Sequence, residues 1–396
     1  MCLNEGCIPT KTLLYSAKTY DNACHASKYA VSVSEVSFDL SKIIARKQKI
    51  VRKLVLGVKG KLTAGNVTIV TGEASVIDKN HVLCGDETYE CDNLLLCTGS
   101  ETFIPPIPGV DTVPYWTHRD ALDNKELPKS LAIIGGGVIG MEFASFFNSL
   151  GVEVTVIEML DEILGGMDKE LSAMLRAEYA KRGIKFMLDT KVVALSEVAS
   201  GNGDTQQIQV NYENAEGAGC VIAERLLMSV GRRPVTKGFG LENLNLDKTA
   251  RGNLTGFSLL AHTAVREAEV AVHAVLGKKD CMSYRAIPGV VYTNPEIAGV
   301  GDTEEALQRK GIPYRAVKLP MAYSGRFVAE NEGINGMCKL LLAEDDTVLG
   351  AHVLGNPASE IITLAGMAVE LKLTASEWKK MVFPHPTVGE IFKEAL

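Results

Sequence analysis

The sequence predicts an α/β architecture divided among two or three domains, and three observations lead there. Short apolar runs alternate with amphipathic stretches of helical period along most of the chain. A glycine-rich turn, Gly135-Gly-Gly137-Val-Ile-Gly140, stands between one such run and one such stretch. A length of 396 residues exceeds what one hydrophobic core ordinarily serves.

Composition narrows the function. The chain is 46% hydrophobic and 22% charged, ordinary values for a globular protein. A net charge of −7 without any useful basic run argues against general nucleic-acid binding. The nearest approach to a membrane span, 131–147, carries four glycines and Glu142 and reads as strand, turn and helix. Nine irregularly spaced cysteines suit a reducing compartment with mostly free thiols, and no secretory signal is visible.

The chain opens on Cys2-Leu-Asn-Glu-Gly-Cys7-Ile-Pro-Thr-Lys11. An ideal helix holds residues i and i+5 roughly 8 to 9 Å apart at Cα, beyond the roughly 7 Å limit of a disulfide. Bonding would therefore need an irregular turn, which Asn4, Gly6 and Pro9 permit. From Thr10 onward Leu13, Ala17, Tyr20 and Cys24 recur at helical spacing, so a strained, reducible disulfide could sit at a helix N-terminus, where the dipole favours thiolate. A structural disulfide and half of a zinc site remain open readings of the same pair. Zinc would need a second pair, whereas Cys24, Cys84, Cys91, Cys97, Cys220, Cys281 and Cys338 are scattered singly.

A long helix is expected over 38–65, then strands over 67–70, 74–77, 81–84 and 93–97, the last a buried run ending in Thr98-Gly99-Ser100. The proline-rich stretch 103–109 suits a connector. Beyond it, 130–134 is a buried strand, Gly135 to Gly140 is Gly-x-Gly-x-x-Gly, and 141–150 is a helix with Ile139, Phe143, Phe146, Phe147 and Leu150 on its core side. The strand 152–157 follows, with an acid, Glu158, just beyond it. Strand, turn, helix, strand and acid together make a Rossmann-like dinucleotide-binding unit. Gly135 permits the turn, Gly137 admits a pyrophosphate at the helix N-terminus, and Gly140 lets helix and strand pack closely. Glu158 would accept from ribose hydroxyls and repel a 2′-phosphate, which implies NAD rather than NADP. A helix over 168–183 and strands over 184–195, 206–212 and 225–229 finish this unit before Val230-Gly-Arg-Arg-Pro234.

The last domain shows strands over 290–292, 314–319, 336–342 and 348–354, with helices starting near Asp302 and Ser359. Asp302 and Glu305 form a capping-box pattern, and Ile362, Ala365, Val369 and Leu373 an apolar stripe that reads as core. Near the end, Pro384 and Pro386 flank His385, and Glu390 can reach back to its ring and fix the tautomer. Alone, such a histidine is a turn residue.

The cysteine motif, the Gly135 fingerprint with Glu158, Val230-Gly-Arg-Arg-Pro234 and Pro288-Gly-Val-Val-Tyr-Thr-Asn-Pro-Glu-Ile-Ala298 together resemble the pyridine nucleotide-disulfide oxidoreductases, and within them the dihydrolipoamide dehydrogenases. The resemblance runs over essentially the whole chain in order. It implies an α/β fold with two Rossmann-like dinucleotide-binding domains, the FAD domain incomplete, plus an α+β dimerisation domain. The expected division is 1–117 and 241–286 for FAD, 118–240 for NAD and 287–396 for the homodimer interface. Two family elements, an N-terminal FAD fingerprint and a Gly-Asp segment near Asn253 and Leu254, are absent from the sequence as it stands; the expectation is that they were omitted from it rather than lost by the protein.

The resemblance also implies roles. Cys2 is the interchange cysteine and Cys7 faces the flavin, with Lys11 beside the flavin ring and Glu142 its ion-pair partner. Ala74, Thr98, Gly99, Ser100 and the stretch Leu259, Leu260, Ala261 and His262 are expected to contact FAD, and Val192 and Gly231 the nicotinamide nucleotide. His385, oriented by Glu390, crosses the dimer to the partner's disulfide. The implied reaction is oxidation of dihydrolipoyl groups on lipoyl domains of 2-oxoacid dehydrogenase or glycine cleavage complexes, with NAD+ as acceptor, in bacterial cytoplasm or mitochondrial matrix. An NADPH-driven reductase of the glutathione reductase type and a flavin-free, inactive NAD-binding dimer are the alternatives.

Overall fold

Ser130–Ile134 is apolar on both faces because it becomes an inner strand. Glu153–Ile157 pairs with it on one side and Arg225–Met228 on the other, both parallel, and Lys185–Met187 extends the sheet. Leu131, Ala132 and Ile133 are at most 1% exposed. The computed structural model describes residues 1–199, 206–246 and 258–396. These divide into two units, one of Met1–Ile8, Gln48–Phe103 and Gly231–Tyr284, the other of Pro9–Lys47, Ile104–Val230 and Arg285–Leu396.

The second unit contains the parallel sheet, a three-stranded antiparallel sheet (Lys191–Ala199, Gln206–Asn214, Gly217–Ala223), and a five-stranded antiparallel sheet. The order of the last is Gly289–Val291, Ile297–Gly301, Val348–Leu354, Met337–Leu342 and Arg315–Pro320. The helix Val138–Ser149 buries Phe143, Phe146 and Phe147 against the parallel sheet, in a cluster that also takes in Leu13 and Leu14 of the helix Cys7–Cys24. The helix Ala358–Glu370 places Ile362, Ala365 and Val369 in a second core with Trp378 and Phe392. The run 131–147 is strand, turn and helix, and no helix among the described residues is long and apolar enough to cross a membrane.

The first unit contains a three-stranded meander, Ala74–Val76, His81–Cys84 and Glu87–Glu90, and a short ladder of Ser100–Thr102 with Arg232–Pro234. Among its described residues the buried apolar ones are Val76 and Leu241. Gly240, at φ +79°, passes so close to the Val76 carbonyl that a Cβ there would lie 2.2 Å from the oxygen.

Several expectations are corrected. Neither 67–70 nor 93–97 forms a strand: no described strand pairs with either, and an apolar run without a ladder partner stays irregular, leaving Val67, Ile69 and Leu95 exposed. The stretch 184–195 is two strands, Lys185–Met187 and Lys191–Ala199, split where Asp189 takes a φ of +48°. Thr303, not Asp302, caps the helix Glu304–Lys310 by accepting from the Ala306 amide, while Asp302 pairs with Lys310. The junction at Asn253 and Leu254 lies outside the described residues.

Phe146 is 2% exposed and packs edge-on against Phe147 at 5.1 Å. Phe146→Ala should cost about 3–5 kcal/mol in a urea unfolding titration. A loss under about 1 kcal/mol would mean that this helix is not held by its aromatic face.

Candidate active site

The cysteine motif folds as two helices broken at one residue. Cys2–Glu5 ends at Gly6, whose φ and ψ are −137° and −105°, and Cys7–Cys24 starts immediately after it. A Cβ on Gly6 would lie 3.3 Å from the Cys2 Cα, so the break is close-packed. The break brings the Cys2 and Cys7 Cα atoms to 4.7 Å, and the two sulfurs are bonded. With both sulfurs joined, neither is left as a zinc ligand. Pro9 sits in the first helical turn, where a missing N–H costs no hydrogen bond. Once reduced, Cys7 is the first residue of an 18-residue helix, where the dipole stabilises a thiolate. The other seven cysteines are free.

Four residues on, Lys11 donates to both carboxylate oxygens of Glu142 at 2.8 Å. The Glu142 side chain is 4% exposed and that of Lys11 30% exposed. The Tyr292 amide also donates to Glu142, at 3.1 Å, and the Tyr292 ring lies 4.6 Å below the ammonium. Tyr292 stood in a motif of the sequence without an assigned role; its backbone contact depends on folding and leaves no sequence signal.

At the glycine turn, Gly135 has a φ of +101°, and a Cβ on Gly140 would lie 2.0 Å from the Gly135 carbonyl oxygen, so only glycine fits. Gly137 is the N-cap of the 12-residue helix and faces open space. One Glu158 oxygen accepts from the Gly136 amide at 2.6 Å, and the other from the Leu160 amide at 2.9 Å. Open space at a helix N-terminus beside a carboxylate fits NAD: the amides suit a pyrophosphate and the acid suits ribose hydroxyls. Val192 packs half-buried on the antiparallel sheet of this unit.

The residues linked to FAD fit a flavin dinucleotide in their chemistry. The helix Ala261–Val275 has no side-chain cap at Leu260, so its first amides stand ready for phosphate oxygens. Leu259, Leu260, Ala261 and His262 are exposed there. Thr98 and Gly99 are exposed, and Ser100 is held by the Arg232 guanidinium at 2.9 Å. Ala74 begins the first strand of the meander and is exposed. Gly231, at φ +116°, has open space where a Cβ would stand.

His385 is 81% exposed as a side chain, and its Nδ1 lies 3.0 Å from a Glu390 oxygen. The other Glu390 oxygen accepts from the Thr387 amide at 2.7 Å. That amide bond first, and the histidine second, hold the Glu390 carboxyl below its ordinary value.

A cysteine pair able to cycle between disulfide and dithiol, in a chain with a dinucleotide-binding glycine turn, characterises a nucleotide-linked disulfide oxidoreductase. The chain belongs to the pyridine nucleotide-disulphide oxidoreductases: the family model matches residues 1–255 and its dimerisation domain matches 287–396. It is 34% identical over 420 residues to a dihydrolipoyl dehydrogenase of Geobacillus stearothermophilus, covering all of this chain and 87% of that one. The human mitochondrial dihydrolipoyl dehydrogenase is 34% identical over 429 residues, with 82% of it covered. Among solved structures, the HOCl-induced flavoprotein disulfide reductase RclA of Escherichia coli superposes with a TM-score of 0.86 at 25% identity, over 99% of this chain and 90% of that one. LpdA of Mycobacterium tuberculosis shares the fold at a TM-score of 0.88 and 23% identity, over 100% and 90% of the two chains.

Two measurements test this geometry. Thiol titration of the unfolded, unreduced protein should count seven thiols, and nine after reduction; nine before reduction would remove the disulfide. The Glu390 carboxyl should titrate below 4.5 by carbon-detected NMR. Its contacts then stabilise the His385 loop above 4.5 and are lost as pH falls through the lowered value, whereas a midpoint at or above 4.5 would contradict them.

Proposed function

We propose that the protein oxidises protein-bound dihydrolipoamide to lipoamide and reduces NAD+ to NADH, through the Cys2–Cys7 disulfide and FAD. The observation that carries the reading is this bonded pair at a helix N-terminus, in a chain similar over its full length to dihydrolipoyl dehydrogenases. The domain assignment is 1–117 and 241–286 for FAD, 118–240 for NAD and 287–396 for dimerisation. Bound FAD supplies the two-electron carrier between dithiol and nicotinamide.

His385, with Glu390 fixing its ring, accepts a proton from one substrate thiol. The substrate thiolate attacks the Cys2 sulfur, the Cys2–Cys7 bond breaks, and Cys7 leaves as a thiolate. The second substrate thiol then displaces Cys2, closing the lipoyl disulfide and leaving the protein as a dithiol. Two electrons leave the substrate and two reach NAD+, so one dithiol and one NAD+ yield one lipoyl disulfide, one NADH and one proton. Lys11, fixed by Glu142, would supply positive charge to the flavin ring. The turn Gly135, Gly137 and Gly140 receives the NAD pyrophosphate, with Glu158 at the ribose and Val192 and Gly231 at the nicotinamide end.

The reading carries a homodimer in which His385 serves the partner's disulfide, and lipoyl domains of 2-oxoacid dehydrogenase or glycine cleavage complexes as substrates. The compartment is bacterial cytoplasm or mitochondrial matrix. A glutathione-reductase-like enzyme would carry cations where this chain has Glu158.

The full-length flavoprotein should form NADH from dihydrolipoamide and NAD+, monitored at the nicotinamide absorption band, and should use NADP+ poorly. His385→Gln should lower turnover by about 10²- to 10⁴-fold. A preference for NADP+, or full turnover without His385, would sink the assignment.

A further inference from the structure

Lys339 is 1% exposed, on the inner strand Met337–Leu342 of the five-stranded sheet. It donates to both oxygens of Asp168, at 2.9 and 2.8 Å, and to Glu304 at 2.7 Å, and it lies 2.7 Å from Glu170. Lys318, its cross-strand neighbour, bridges the same Glu170 and Glu304. Burial alone would lower the Lys339 pKa, but the bonds to Asp168, Glu170 and Glu304 win and raise it, so the lysine stays charged.

Asp168 is also 1% exposed and caps the helix Lys169–Lys181 by accepting from the Leu171 amide at 3.1 Å. It closes the segment that starts at Glu158, and that segment backs the glycine turn. Glu158 accepts from the Gly136 amide, the Leu164 amide donates to the Gly136 carbonyl at 2.9 Å, and the Ile163 side chain stands 3.0 Å from where a Gly136 Cβ would be. Glu162, 6% exposed, is clamped by Arg176 at 2.8 and 2.9 Å. The segment is thus fixed at one end on the turn and at the other on Lys339.

We propose that Lys339 is a positioning residue for the dinucleotide site: from the dimerisation-domain sheet it holds Asp168, and through it the 158–168 segment against Gly136, and so sets the affinity for NAD. This rests on the reading of Gly135 to Gly140 and Glu158 as the NAD site. A buried ion pair serves stability poorly compared with apolar packing of the same volume. What it does well is fix one geometry, and a small displacement of a segment backing a binding loop is costly to the ligand.

The test is NADH affinity, read by fluorescence titration of the purified flavoprotein, with steady-state kinetics beside it. Lys339→Met should weaken NADH binding and raise the KM for NAD+ about tenfold, while kcat/KM for the dithiol changes less than about twofold. Lys339→Arg, which keeps the charge, should recover part of the loss. Should Lys339→Met fail to fold, Asp168→Asn serves instead: asparagine still caps the helix but weakens the lysine contact, and the same split is expected. A folded variant binding NADH within about twofold of wild type, merely melting earlier, would overturn the proposal. A Glu158→Ala variant that binds NADH as tightly as wild type would overturn the site reading and this proposal with it.

Discussion

A carboxylate buried inside a protein has to be neutralised, and Glu142 shows how much of the second unit is arranged to do so. Left alone, a group 4% exposed would carry a desolvation penalty of several kcal/mol. Lys11 comes to it from the helix that starts at Cys7, and the Tyr292 amide from just beyond the strand Gly289–Val291. Glu142 itself sits on the fingerprint helix. Three segments far apart in sequence therefore meet at one charge, and none can shift without exposing it or leaving it unpaired. Helix packing over Phe143, Phe146 and Phe147 sets the framework, but apolar contacts tolerate small slides that a bidentate ion pair does not.

Much of this was legible in the sequence, for identifiable reasons. The glycine turn is a steric requirement with few solutions, so Gly135 and Gly140 announce themselves, and an aromatic stripe at helical period can hardly be misplaced. Distance arithmetic called for an irregular turn if Cys2 and Cys7 were bonded, with Asn4, Gly6 and Pro9 able to supply it, and the break falls at Gly6. Failures fell where pairing decides structure. Leu94, Leu95 and Leu96 carry the composition of an inner strand, yet a strand exists only when another backbone meets it. Glu87–Glu90 was missed because it is short and polar, and Gly217–Ala223 and Ile297–Gly301 because their glycines weaken the strand signal until a neighbour pairs with them. Lys339 was the least legible, since its meaning depends on an acid 171 residues away and on strand register. A lysine inside Met337-Cys-Lys339-Leu-Leu-Leu342 was the available signal, because such a residue is seldom buried without a partner.

The groups proposed for the chemistry differ in how they are held. The cysteine pair is fixed by covalent bonding and a close-packed glycine, whereas His385 stands on an exposed loop whose order comes from Glu390 accepting from both the ring and the Thr387 amide. One carboxylate thus organises backbone and imidazole together. This is economical in a short segment between prolines, where few other restraints are available.

Glu158 carries a double attachment with a consequence for redesign. Its two oxygens hold the Gly136 and Leu160 amides, so on the proposed reading the acid is scaffold as well as discriminator. Changing the coenzyme preference by exchanging this side chain would leave two backbone donors unanswered beside the very turn that must receive the new phosphate. On that reading selectivity and loop order are coupled, and a route to a different coenzyme passes through compensating changes in the residues that follow Glu158 rather than through that position alone.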